Sequence, residues 1–211
     1  MAGTLFWDVD TQVDFMDPSG ALYVPGAETL ADNLERLTVH ARRSGINRAG
    51  SVDHHAPDDP EFSDRPDYRE TYPPHCVAGT PGASKITATA PQDPLWIPSN
   101  PVPAPALAAQ VRNHPGEVFL QKQRFDVFSN PNSCTVLRAY DPSRIVVYGV
   151  ALDVCDRYAV EGFLTLGRLE VWLVEDAVKA IRPEAVPGLL EDWRRRGVRI
   201  ACTDEILDMF R

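Results

Sequence analysis

Residues 144–155, RIVVYGVALDVC, decide the fold of this chain. The run from Arg144 to Gly149 is short, apolar and rich in β-branched residues, which is typical of a strand buried on both faces of a sheet. The glycine predicts the end of that strand and a tight turn after it, and a helix is expected to begin at or near Cys155. Strand, turn and helix in this order are the repeating unit of an α/β protein.

The same alternation of strand and helix patterns extends towards both ends of the chain. Six short apolar runs predict strands, and six other segments have the apolar spacing of helices. Because strands alternate with helices, we predict an α/β protein with three α/β/α layers around a six-stranded, mainly parallel sheet. The predicted strands are 4–9, 46–52, 117–121, 144–149, 169–174 and 198–202, and the predicted helices are 27–44, 104–113, 132–140, 155–166, 185–196 and 203–210.

Length and composition predict one globular domain, which we place at residues 1–211. The chain has 211 residues, 44% of them hydrophobic, which is enough for one sizeable core. Its net charge of -9 and its lack of a basic run argue against nucleic acid as a partner. Neither a signal peptide nor a membrane-spanning apolar run is evident, so we expect a cytoplasmic protein without membrane contact. The four cysteines form no CxxC pair and are expected to be free thiols.

Two long segments interrupt the alternation of strands and helices. Residues 54–82 are rich in Asp, Pro and His, and residues 91–105 are rich in Pro, so we predict loops in both segments. Long ordered loops in a compact domain usually carry function. Both segments are therefore candidates for a functional role.

Reactive side chains follow four of the predicted strands. Asp10 follows the first strand, Asp53 the second and Lys122 the third, and Cys155 ends the turn after the fourth. Ligands of open α/β sheets bind at the carboxyl ends of the strands, which lie at one edge. We therefore predict that these four side chains meet at that edge.

Cys155 is the candidate nucleophile. A thiol at a helix N-terminus feels the positive end of the helix dipole, which lowers its pKa towards the reactive thiolate, and a lysine nearby lowers it further. Backbone N–H groups in such a turn can also hold an oxyanion. The alternatives are a buried structural thiol for Cys155 and an ordinary solvated side chain for Lys122.

Asp8 and Asp10 are expected on the same side of the first strand, since side chains alternate along an extended chain. Two carboxylates this close would raise the pKa of one of them and could tune a general acid or base. The alternative, which we favour, is that Asp8 binds a neighbouring backbone group or an arginine.

The segment after the second predicted strand offers ligands for a metal ion. Asp53 and His55 are two residues apart, so their side chains share one side of the chain, and His75 follows later in the same segment. Two imidazoles and a carboxylate suit a divalent cation and leave coordination positions open. The alternative is a scattered surface group that binds no metal.

Several motifs together resemble the cysteine-hydrolase superfamily that includes nicotinamidases, isochorismatases and N-carbamoylsarcosine amidases. The resemblance covers nearly the whole chain, in order, and implies an isochorismatase-like sheet of Rossmann-like topology. It implies a triad of Asp10, Lys122 and Cys155 that hydrolyses an amide through a thioester. It also implies a cis peptide bond between Val150 and Ala151, beside the N–H groups of an oxyanion site. The matching motifs are DTQVDF at 10–15, GALYVPG at 20–26, Lys122, and GVA at 149–151 with Cys155.

Residues 73–83, PPHCVAGTPGA, resemble the nicotinamidase branch of that superfamily. This resemblance implies a divalent metal ion, zinc, iron or manganese, that holds the ring nitrogen of a nicotinamide-like amide, and no organic cofactor. It also implies a small-molecule amide as partner and a homo-oligomeric assembly. The implied residues are Asp53, His55 and His75 as metal ligands, Glu61 as an oxygen ligand with Asp58 and Asp59 as its rivals, His54 as a bystander, and Phe15 and Tyr72 as substrate contacts.

Some positions depart from the nicotinamidase pattern. Tyr72 stands where a tryptophan is common, Asp8 stands where an apolar residue is usual, and residues 122–128 are closer to isochorismatase-type sequences. Residues 156–158, DRY, put unusual charge directly after the cysteine. The substrate is therefore nicotinamide or a related small amide, or, for a metal-independent relative, a carbamoyl or ureido amide or a vinyl ether. A non-catalytic binding module on the same fold is a third alternative.

Overall fold

Strands and helices alternate along residues 3–210, the part of the chain that the structure, a computed structural model, describes. The six predicted helices are present, and the segment 27–44 consists of a 3₁₀ turn, Ala27–Leu30, followed by a helix. The strands are β1 (Thr4–Val9), β2 (Asn47–Asp53), β3 (Leu95–Ile97), β4 (Val118–Lys122), β5 (Arg144–Val150), β6 (Glu170–Lys179) and β7 (Arg199–Ala201), and the helices are α1 (Val13–Met16), α2 (Ala31–Arg43), α3 (Ala104–Asn113), α4 (Ser133–Tyr140), α5 (Cys155–Thr165), α6 (Val186–Arg195) and α7 (Thr203–Met209).

Within residues 3–210 the sheet has seven strands, so the predicted count of six is wrong. Its strand order is β3-β4-β2-β1-β5-β6-β7, and every neighbouring pair is parallel. The additional strand, β3, lies inside the Pro-rich segment 91–105 and pairs with β4 at the edge of the sheet. Pro94 and Pro98 limit it to three residues, too few to show an alternating pattern. Prolines are tolerated beside an edge strand, where one side of the backbone needs no partner.

The six predicted strands follow one another across the sheet in the order 3-2-1-4-5-6 of a doubly wound fold. The order reverses between β1 and β5, whose register pairs Val9 with Gly149. Gly149 has a φ of 130°, and a Cβ atom there would lie 2.1 Å from the carbonyl oxygen of Val9. Only glycine therefore lets the two strands approach at this point. In such sheets the ligand crevice lies at the carboxyl ends of the strands beside this reversal.

Apolar side chains cover both faces of the sheet. Leu5, Trp7 and Val9 of β1 belong to a core that includes residues of α3, α4, α5 and α6. Phe6, on the opposite face, belongs to a second core with residues of α1, α2 and α7. The predicted three-layer arrangement follows from this alternation along β1. None of the helices in residues 3–210 combines the length and the apolar character needed to cross a membrane.

Candidate active site and metal centre

Four side chains meet at the carboxyl ends of β1, β2 and β4, next to the start of α5. The ammonium nitrogen of Lys122 lies 2.8 Å from Asp10 Oδ2 and 3.6 Å from Cys155 Sγ, and it also donates to the carboxylate of Asp53. All four side chains are buried. Lys122 therefore bridges the carboxylates of Asp10 and Asp53, and the four side chains form one connected group.

Asp10 is fixed by its backbone and by a serine that sequence reasoning missed. Its φ is 47°, in the left-handed region, so the chain turns sharply where β1 ends. Ser51 Oγ donates a 2.7 Å hydrogen bond to Asp10 Oδ1. Burial raises the pKa of the Asp10 carboxyl, and the negative charge of Asp53 adds to this, although Lys122 acts in the opposite direction. A carboxyl with a raised pKa accepts a proton more readily, as a general base must.

The thiol of Cys155 corrects the expectation of a lowered pKa. Burial raises the pKa of this thiol well above its ordinary value and outweighs the charge of Lys122, while the carboxylates of Asp10 and Asp53 raise it further. Burial therefore favours the neutral thiol over the thiolate at this position.

The turn between β5 and α5 carries a cis peptide bond between Val150 and Ala151. The amides of Leu152 and Val154 donate to backbone oxygens of Lys179 and Ala151, whereas those of Ala151 and Cys155 donate no backbone hydrogen bond in this turn. Without a backbone acceptor among residues 3–210, these two N–H groups are candidates to hold an oxyanion.

Beside Lys122, four side chains direct ligand atoms towards one point. Nε2 of His55 lies 3.9 Å from Asp53 Oδ2 and 3.8 Å from Glu61 Oε1, and Nε2 of His75 lies 3.8 and 3.7 Å from the same two oxygens. Ligand atoms of a tetrahedral zinc site are about 3.4 Å apart. A small contraction of this group therefore fits a divalent cation.

The outer nitrogen of each imidazole is already occupied. His55 Nδ1–H donates to Asp59 Oδ2 at 3.0 Å, and His75 Nδ1–H donates to the carbonyl oxygen of Pro73 at 2.8 Å. In a neutral imidazole each Nε2 then presents a lone pair inward, and the Nε2 of His55 is buried without a hydrogen-bond partner among residues 3–210. This is the arrangement that supports histidine metal ligands. Asp59 orients His55 and leaves Glu61 as the oxygen ligand candidate.

Asp58 and His54 are the two other residues that the sequence singled out in this segment. Asp58, a rival of Glu61 by sequence, is exposed. His54, the expected bystander, contributes backbone contacts: its N–H donates to the carbonyl oxygen of Lys122, and its own carbonyl oxygen accepts from Gln123 Nε2.

Two residues of the motif at 10–15 hold this group in place, and sequence reasoning gave neither a role. Gln12 Nε2 donates to the carbonyl oxygen of Asp53 at 2.8 Å, and Gln12 Oε1 accepts from the N–H of Asp53 at 2.7 Å. Asp14 Oδ2 accepts from the N–H of Cys76, next to His75, at 2.7 Å. The motif therefore fixes the backbone beside Asp53 and beside His75, two of the candidate metal ligands.

Aromatic rings surround His75. The centroids of Phe15 and Tyr72, the two predicted substrate contacts, lie 5.6 and 6.2 Å from the imidazole centroid. Phe62, which the sequence did not single out, lies 5.6 Å from the same ring and 5.2 Å from that of His55. A planar aromatic ligand would therefore meet apolar faces next to the nitrogen and oxygen ligands.

The isochorismatase domain family matches residues 5–205 of this chain. The chain belongs to the isochorismatase domain family. The nicotinamidase/pyrazinamidase of Mycobacterium tuberculosis is 27% identical over 195 residues, which are 92% of this chain and 96% of that protein. A protein of Arabidopsis thaliana whose name reads "Probable inactive nicotinamidase" is 25% identical over 199 residues, 93% of this chain and 91% of its own.

Solved structures of this family share the fold. The pyrazinamidase of Pyrococcus horikoshii, crystallised in complex with zinc, is 26% identical with a TM-score of 0.72, over 94% of this chain and 98% of that one. The N-carbamoylsarcosine amidase of Thermoplasma acidophilum is 24% identical with a TM-score of 0.70, over 96% and 97% of the two chains. The isochorismatase-like fold of the present chain is therefore shared with both.

Asp8 of this isochorismatase-family chain binds an arginine, so the interpretation that we favour from sequence is confirmed. Its carboxylate accepts from Arg48 Nη2 at 2.7 Å and from Lys85 Nζ at 3.0 Å, and Glu117 binds the other arm of Arg48. All four residues are buried. Burial alone would raise the pKa of Asp8, but Lys85 and Arg48 outweigh it and lower that pKa. Asp8 therefore belongs to an ion network in the core.

Asp156 follows the cysteine and differs from Asp8, because neither of its carboxylate oxygens has a partner among residues 3–210. Its side chain is fully buried. Burial raises the pKa of Asp156 well above its ordinary value, and the charges of Asp10 and Asp8 add to the effect. The carboxyl therefore keeps its proton in the folded protein to a higher pH than an ordinary aspartic acid does.

The substitution Asp156→Asn is expected to stabilise the protein, and more so as the pH rises. At low pH the carboxyl is protonated in both states. Above about pH 4 the carboxyl ionises in the unfolded chain, whereas burial holds its folded-state pKa higher, so the wild type loses stability relative to the variant as the pH rises. Urea unfolding at pH 5 and pH 8 measures the difference, with Asp58→Asn as the exposed control. A gain that is the same at both pH values would contradict a protonated Asp156.

Proposed function

We propose that this protein is a metal-assisted cysteine amidohydrolase that acts on nicotinamide or a related small heteroaromatic amide and releases ammonia. One observation carries the proposal: the Cys155–Lys122–Asp10 group and the ligand group around His55 and His75 share the carboxylate of Asp53. Oδ1 of that carboxylate accepts from Lys122, and Oδ2 faces the two imidazoles. A nucleophile and a cation site in one cluster suit a substrate that carries both an amide and a ring nitrogen.

The relatives support this assignment. The Mycobacterium tuberculosis relative is a nicotinamidase/pyrazinamidase of nearly the same length. The Pyrococcus horikoshii relative is a pyrazinamidase solved with zinc. Because one relative, from Arabidopsis thaliana, carries the name "Probable inactive nicotinamidase", family membership does not establish turnover, and the proposal depends on the side chains themselves.

The reaction would proceed through a thioester. Asp10 takes the thiol proton as Cys155 Sγ bonds to the amide carbon, and the N–H groups of Ala151 and Cys155 hold the carbonyl oxygen as it gains negative charge. Asp10 then gives the proton to the amide nitrogen, the C–N bond breaks, and ammonia leaves. Water attacks the thioester with Asp10 again as base, and the returned proton restores the thiol as the acid departs.

Lys122 has an electrostatic role in this scheme. Burial alone would lower the pKa of its ammonium group, but the carboxylates of Asp10 and Asp53 outweigh burial and raise that pKa well above its ordinary value. The group therefore stays charged throughout the cycle. Its positive charge stabilises the sulfur as negative charge develops there, 3.6 Å away.

A zinc, iron or manganese ion would be held by Asp53, His55, His75 and Glu61. Two nitrogen and two oxygen ligands suit each of these cations. When bound, the cation supplies a Lewis acid for a ring nitrogen of the substrate. Phe15 and Tyr72 would pack against the ring and turn its amide towards Cys155.

An ammonia-release screen tests the proposal directly. The metal-loaded protein is expected to release ammonia from nicotinamide and pyrazinamide, and to lose that activity when a chelator removes the metal. Ureido and carbamoyl compounds serve as the comparison set, because they lack a ring nitrogen. Turnover of these compounds alone, unaffected by chelation, would instead indicate a metal-independent family hydrolase. No ammonia from any compound, with a folded and metal-loaded protein, would indicate a binding module.

A further inference from the structure

A cavity of about 510 Å³ adjoins the ligand group. Glu61 and Tyr72 line it next to His75, and Phe125 and then Tyr158 follow further from that histidine and are called its outer wall. Cavities of this size hold ligands much larger than a single six-membered ring with a carboxamide. A substrate the size of nicotinamide would therefore leave most of this space empty.

The outer wall of the cavity is aromatic and partly exposed. Phe125 meets Tyr72 edge to face, with centroids 5.6 Å apart, and stacks on Tyr158 at 6.4 Å with 28° between the ring planes. Tyr158 is 46% exposed although it is large and aromatic. Rings in this arrangement offer flat apolar surface to a planar ligand.

The charges around the outer cavity balance. Of the six charged groups in its lining, Asp59 and Glu61 face the imidazoles of the ligand group, and the other four are Arg69, Arg124, Glu70 and Asp126. Neither arginine forms an ion pair with another residue of the described range 3–210 that would fix it in one position. Two positive and two negative groups give no preference for a charged ligand. The space therefore suits an uncharged group.

The position of the cavity shows which side of a substrate would enter it. Glu61, a proposed ligand of the cation that would bind the ring nitrogen, lines the cavity. Asp10, Lys122 and Cys155, which would act on the amide, do not line it. Asp10 is completely buried, so the nitrogen that it would protonate has little room for a substituent. An extension of the substrate would therefore grow from the ring and not from the amide nitrogen.

We propose that this cavity is a subsite for a planar, uncharged substituent on the ring of the substrate, with Phe125 and Tyr158 as its specificity-determining residues. The preferred substrates are then primary amides of aryl-substituted heteroaromatic acids, with ammonia as the leaving group. The inference rests on the proposed amidohydrolase function and names the substrate class of the same site.

Equilibrium binding to the Cys155→Ala protein, loaded with metal, tests the subsite without turnover. The probes are nicotinamide and 5-phenylnicotinamide, whose phenyl group leaves the ring nitrogen and the amide free. We expect 5-phenylnicotinamide to bind about tenfold more tightly, because its phenyl group is buried against two rings. Adding Phe125→Ala or Tyr158→Ala should reduce this preference to about one. Trp96→Ala, an exposed aromatic residue on β3, is the control and should retain it.

Turnover separates this inference from the proposed function. N-methylnicotinamide should release no methylamine, since the site admits only a small leaving group. Equal binding of both amides, or release of methylamine, would overturn the subsite even if nicotinamide yields ammonia. A tenfold binding preference that Tyr158→Ala removes would support the subsite even if no amide is hydrolysed, in which case the proposed function alone fails.

Discussion

Alanine in place of Cys155 is expected to lower the rate of ammonia release by a factor on the order of 10⁴ or more. The substitution removes the sulfur that would form the thioester and leaves the N–H groups, Lys122 and the ligand group in place. Only the contribution of positioning and electrostatics to direct attack by water remains. Ammonia release under saturating nicotinamide measures the loss.

The matched control is Cys134→Ala, which removes a free, half-buried thiol of α4. That variant should keep the wild-type rate. The Cys155→Ala protein should still bind metal and substrate, because the thiol belongs to neither ligand set. A variant that retains more than a tenth of the wild-type rate would rule out the thioester route.

Alanine in place of His75 is expected to lower the bound metal from about one ion per chain to almost none and to abolish amide hydrolysis. Removing one of four ligands leaves a carboxylate-rich group too weak to hold the cation. The loss should also lower thermal stability, since a ligand present at a thousand times its Kd stabilises by about 4 kcal/mol. For a chain of this size that corresponds to a fall in Tm of about 10 °C in metal-containing buffer.

Metal analysis after gel filtration and thermal unfolding with and without added zinc measure both effects. Asp58→Ala is the control, because this residue is exposed in the same segment, and it should retain metal and Tm. Glu61→Ala should behave like His75→Ala if its carboxylate is a ligand. Full metal content in the His75→Ala protein would refute the assigned ligand group.

Much of the fold could be predicted because its patterns are local. In strands such as Arg144–Val150 every residue after the first is buried, and the spacing of such runs from the helices implies a parallel sheet without knowledge of any contact. β3 escaped prediction because three residues between prolines carry no period. Its strand character comes from pairing with β4, which is a tertiary contact.

The site could be predicted as a set of residue types but not as an electrostatic state. Position after a strand was enough to single out Asp10, Asp53, Lys122 and Cys155. The neutral thiol was not predictable, since it depends on how completely the sulfur is buried. The different roles of Asp59 and Glu61 were likewise not predictable, because they depend on which nitrogen of His55 each carboxylate faces. Asp59 faces Nδ1 and Glu61 faces Nε2.

The ion network around Asp8 also constrains how this sequence can diverge. Asp8, Arg48, Lys85 and Glu117 come from distant positions, and loss of any one leaves an opposite charge stranded in the core. A homologue cannot reach an apolar core here by single substitutions without passing through an unstable intermediate. The four positions should consequently be inherited as a block, present together in close relatives and replaced together in others.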